Sequence, residues 1–194
     1  MRIDDNNKGL SQLQPLQVAG SPIKKLTFMA ILVAMALTIF IIEAQIPVPI
    51  PIPGVKLGLA NSVTLFALFF TSSKERNIGK LTVANVFMIL ICRIVLGATF
   101  TGRLVSFMYS IAGGVLGFSA QVLMKQFVSR KQIWAVGAVG AIFHNIGQVA
   151  VAIFLTSTPV IAMYLPILIV VGIITGIITG LAAQLTIERL GNYS

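Results

Sequence analysis

The residues able to do chemistry in this chain are few, and they interrupt stretches that are otherwise apolar. Glu43 and Gln45 close the first long apolar run, while Lys56 and Asn61 stand where the second begins. Arg93 lies inside the third run and Arg103 just after it. In the fifth, "FHNIGQ" supplies His144, Asn145 and Gln148, and helical spacing puts His144 and Gln148 one turn apart on one face. Ionisable groups inside apolar spans are costly, so by default they mark a polar cavity or pathway. One acid among three bases leaves this set electropositive. That points to an anionic or strongly hydrogen-bonding ligand, with Arg93 as its charge partner. Structural roles compete with this reading: Arg93 could pair with Glu43, His144 could serve helix packing, and Lys56 and Arg103 could snorkel to an interface.

Other chemistries lack their residues. No GxxxxGK[ST] phosphate loop occurs, so ATP hydrolysis by that route is excluded. One histidine and one cysteine, Cys92, make no ordinary zinc set. Asp4 and Asp5 are adjacent, but no second acidic cluster could help them hold magnesium against a diphosphate. No nucleophile, base and orienting group stand together. The expectation is a chain with no catalytic residue, no metal and no cofactor.

The elements that must position these groups are membrane helices. Of 194 residues, 57% are hydrophobic and 10% charged, and apolar stretches of about 20 residues recur, each long enough for a ~30 Å hydrocarbon core. The expected fold is an all-α polytopic bundle of six spans, at about 26–46, 58–71, 81–100, 104–124, 133–155 and 161–187. The second is short and the last long enough to tilt. A single transmembrane domain covers 23–190, between a flexible cytoplasmic tail (1–22) and a short cytoplasmic end (191–194). The tail is polar and carries no signal-peptide pattern.

The net charge of +9 is spread in clusters between the spans, which argues for topology rather than nucleic acid. With the N-terminus inside, the inner segments hold Arg2, Lys8, Lys24, Lys25, Lys74, Arg76, Lys80, Lys125, Arg130, Lys131 and Arg189. Only Lys56 and Arg103 fall outside. Both termini are therefore expected in the cytoplasm.

Between the first two spans, "IPVPIPIPG" has prolines at 47, 49, 51 and 53. Proline fixes φ and drives its predecessor towards extended conformations, so this outer loop should be stiff and extended, a connector or a wall over an outward-facing cavity. Small residues four apart recur as Ala30 and Ala34, as Gly113 and Gly117, and as Gly172, Gly176 and Gly180. Such spacing serves close helix packing or docking of a separate membrane subunit.

The segment "KKLTFMAILVAMALTIFIIEAQIPVPIPIPGVKLGLANSVTLFALFF", with "YSIAGGVLG" and "FHNIGQ", resembles the Gx transporter family, known also as heptaprenyl diphosphate synthase component I. The resemblance covers about residues 22–190, and the proline loop with "PGVKLGLAN" is its most specific part. That group is similar to the substrate-binding S components of energy-coupling factor (ECF) transporters. The resemblance implies a bacterial six-helix membrane subunit whose outward pocket is capped by the first outer loop. Its partners would be a transmembrane coupling subunit and ABC ATPases, and Ala30 and Ala34 match the family's docking pattern. The small-molecule cargo would be anionic, or a precursor of isoprenoid or quinone type. The alternative is a non-catalytic membrane subunit of heptaprenyl diphosphate synthase.

Overall fold

The computed structural model describes residues 22–46, 56–70 and 81–191, and all regular structure among them is helical. Six α-helices follow in order: α1 (Pro22–Glu43), α2 (Asn61–Phe70), α3 (Val83–Thr101), α4 (Leu104–Lys125), α5 (Ile133–Thr156) and α6 (Leu165–Gly191). Short 3₁₀ turns, Arg130–Gln132 and Pro159–Tyr164, lead into α5 and α6. The proline stretch and the N-terminal tail lie outside the described residues.

Five helices, all but α2, are long and apolar enough to cross a membrane. Their outer surfaces expose large apolar side chains such as Leu26, Phe100, Leu104, Phe154 and Ile178, which suits lipid rather than water. Serine and threonine hydroxyls within them bond the carbonyl one turn back, as Thr38 does to Ala34 and Thr179 to Thr175. These hydroxyls are thereby kept from standing bare in hydrocarbon.

The second expected span, already short, is α2, and five of the six helices are long and apolar enough to cross a membrane. The 10 described residues of α2 cover about 15 Å. Val63, Thr64, Leu65 and Ala67 to Phe70 are buried, and α2 contacts every other helix. Hydropathy alone does not separate a lipid-facing span from a short helix enclosed by its neighbours. At the far end of α2, Lys125 of α4 donates to the Leu68 carbonyl at 2.6 Å, a cation placed where the helix dipole is negative.

Helices α4, α5 and α6 pack most closely, because glycines face one another. A methyl group at Gly137 would sit 2.3 Å from the Gly176 carbonyl oxygen, so these two helices touch backbone to backbone. The glycines of the "GIITGIITG" run are thus used within the bundle. Ala30 and Ala34 differ, for both are exposed on α1. Along α5 the surroundings change in order. Ile133 and Val136 join the main apolar core, and Val149 and Ala152 join a second, smaller core with Tyr109 and Leu168. The polar residues of α5 fall between them.

Candidate functional site

The site is built where α1 ends and α2 begins. Gly58 adopts φ 79°, a conformation that favours glycine, and it turns the incoming chain into α2. This turn points the backbone N–H groups of Gly58 and Ala60 at the last residue of α1. Glu43 accepts from both, with Oε1 on Gly58 and Oε2 on Ala60 at 3.3 Å. The buried carboxylate therefore satisfies two amides of the turn that leads into α2.

Four further side chains join in sequence. Arg93 of α3, 3% exposed, donates from Nη2 to Asn61 Oδ1 at 3.0 Å. Asn61 Nδ2 lies 3.1 Å from His144 Nδ1, and His144 Nε2 lies 2.5 Å from Gln148 Nε2. Gln148 clasps the loop as a neighbouring strand would. Its Oε1 accepts from the Lys56 amide at 3.0 Å, and its Nε2 donates to the Lys56 carbonyl at 3.1 Å. These bonds fix both amide orientations, because Arg93 and the Lys56 N–H each require an oxygen. Both ring nitrogens of His144 consequently face NH₂ groups. A neutral imidazole offers one acceptor nitrogen, and the Gly113 backbone beside the ring supplies a further hydrogen-bond partner.

Two cations border this network. No carboxylate lies within 4.0 Å of Arg93 among the described residues, and its Nε has no hydrogen-bond partner there. Lys56 Nζ is likewise buried without a hydrogen-bond acceptor and rests 3.5 Å from the centroid of the Phe40 ring. Gly97 makes room for that ring, since a methyl group there would meet Phe40 at 2.6 Å. Burial is the main influence on the Lys56 ammonium and lowers its pKa to about 8; Glu43 opposes the shift, and Arg93 and Arg103 reinforce it.

Of the nine sequence-derived residues, Glu43, Lys56, Asn61, Arg93, His144 and Gln148 therefore meet. Gln45 is exposed beyond the end of α1, and Arg103 is exposed in the turn before α4. Asn145 is buried but points to α6, where Nδ2 donates to the Leu168 carbonyl at 2.6 Å. Three contributors escaped sequence reasoning. The Gly58 and Ala60 amides carry no residue-type signal. Gln121 of α4, 3% exposed, could have been flagged as an amide within an apolar run. Its Oε1 has no partner, and with Asn61, Thr175 and Thr179 it lines a cavity of about 10 Å³, enough for about one water molecule. A separate groove of about 340 Å³ runs between α1, α2 and α6, lined by Phe28, Met35, Phe66 and Ala183 among others.

No metal-holding group of His, Cys, Asp or Glu occurs among the described residues. The cluster brings buried hydrogen-bond donors and two cations, Arg93 and Lys56, together. No curated protein and no solved structure matches the chain. Residues 32–186 match the family model of heptaprenyl diphosphate synthase component I, and the chain belongs to that family.

Proposed function

We propose that this protein is the non-catalytic membrane subunit of a heptaprenyl diphosphate synthase, and that it holds an anionic head group at the cluster around Arg93. The observation that carries the site is the buried guanidinium, which has one neutral hydrogen-bond partner at 3.0 Å and, among the described residues, no carboxylate in direct contact, Glu43 acting on it only through space. An unpaired buried charge is costly unless something of opposite sign joins it. The family match supports the synthase role. A diphosphate offers oxygen acceptors and negative charge to Arg93 Nε and Lys56 Nζ, which have no hydrogen-bond partner among the described residues. Magnesium-dependent prenyl transfer would belong to a separate acidic partner. The test is reconstitution: the purified chain should bind inorganic pyrophosphate, capture a soluble prenyltransferase and raise its rate. A soluble synthase indifferent to the chain would overturn the assignment.

A second reading is the substrate-capture subunit of an ECF-type importer with cytoplasmic termini, taking an anionic small molecule from outside. Ala30 and Ala34 favour it, because both are exposed on α1 and uncommitted to the bundle. Gentle purification separates the readings. Under this one, ATPases and a transmembrane coupling protein accompany the chain, and bulky residues at 30 and 34 release them.

A further inference from the structure

We propose that the amides of Gly58 and Ala60 are an anion subsite, and that Glu43 is its resident placeholder, displaced when an acidic ligand binds. The inference rests on the anionic-ligand reading above and assigns where the ligand's oxygens go. Gly58 and Ala60 lie in the turn just before α2, and their two N–H groups converge on one point, the backbone geometry of a small anion cradle. The chain's own carboxylate fills that cradle.

The surroundings show that this arrangement leaves the site incomplete. Arg93, nine-tenths buried and more, reaches the same helix terminus through Asn61, yet its Nε is unpartnered. Lys56, two residues before Gly58, holds a buried Nζ without a hydrogen-bond acceptor. The Glu43 carboxylate hydrogen-bonds the amides and reaches the two cations through space only, making no hydrogen bond to either. A phosphate or diphosphate has enough oxygens to take the amides and both cations together. Its charge would also repel Glu43 from the shared space, so the two anions exclude each other. Glu43 is the last residue of α1, so its release frees the junction between α1 and the loop that follows.

The experiment uses inorganic pyrophosphate and the full-length protein. Carboxyl labelling, read by mass spectrometry, should leave Glu43 protected in the ligand-free protein and reactive at saturating pyrophosphate. Glu43→Gln keeps an oxygen for the amides but removes the competing charge. It should bind pyrophosphate about tenfold or more tightly than wild type, since a like charge within a few ångströms at partial burial weighs at least that much. Arg93→Met should abolish binding in either background. If pyrophosphate binds in an Arg93-dependent way while Glu43 stays protected, the placeholder role is wrong and the anion site stands. If neither wild type nor Glu43→Gln binds pyrophosphate, the diphosphate site falls and the placeholder with it.

Discussion

Replacing Arg93 with methionine should make the ligand-free protein more stable, not less. The guanidinium is 3% exposed, and its only hydrogen bond in the described structure runs to Asn61 Oδ1. Burying an ion costs several kcal/mol even after relaxation, and one bond to a neutral amide returns about 1.5–3 kcal/mol of that. Methionine has similar reach and no charge to desolvate. Asn61 Oδ1 loses its donor, which costs about 1–3 kcal/mol and offsets part of the gain. The net expectation is stabilisation by about 1–2 kcal/mol, or a rise of roughly 2–8 °C in midpoint for a chain of this size. The assay is thermal unfolding in detergent, with and without pyrophosphate. Wild type should gain about 2.7 kcal/mol at a ligand concentration of about 100 times Kd, and the variant should gain nothing. A lower ligand-free midpoint for Arg93→Met would refute the reasoning, because the guanidinium would then be a net contributor to the fold.

Gln148→Leu removes both bonds to the Lys56 backbone, and it should cost about 2 kcal/mol in thermal unfolding while weakening pyrophosphate binding. Gly137→Ala places a methyl group 2.3 Å from the Gly176 oxygen; overpacking of this kind costs about 1–3 kcal/mol, visible as a lower midpoint. Because the Lys56 ammonium titrates at about 8, its charge is present below that pH and lost above it. The advantage of wild type over Lys56→Gln in binding pyrophosphate should therefore shrink as pH rises from 7 to 9, measured by calorimetry at each pH. Ala30→Trp with Ala34→Trp alters exposed positions only, so the midpoint should stay within about 0.5 kcal/mol of wild type, while any membrane partner docked there is lost from pull-downs.

The bundle was legible where hydropathy and length agree. Helices α1, α3, α4, α5 and α6 lie within a few residues of the expected spans. For α2 the composition matches a span, but hydropathy does not reveal that its described residues are enclosed by other helices. The cost of ionisable groups in lipid singled out Arg93, Glu43 and His144, and all three are buried at one cluster. Sequence carried charges but no distances, so it left open whether Glu43 faces Arg93 or backbone amides. The turn at Gly58 decides for the amides. Asn145 shows the limit of residue type: one position on from His144, a rotation of about 100° turns it to α6 instead.

The claim on which the rest depends is that the buried cations around Arg93 hold a negatively charged molecule. Native mass spectrometry of the gently purified protein tests it directly. The account predicts a bound acidic molecule on wild type, exchanged by added pyrophosphate and missing from Arg93→Met. A wild-type spectrum showing bare protein with pyrophosphate present, or an adduct that Arg93→Met retains, would contradict it.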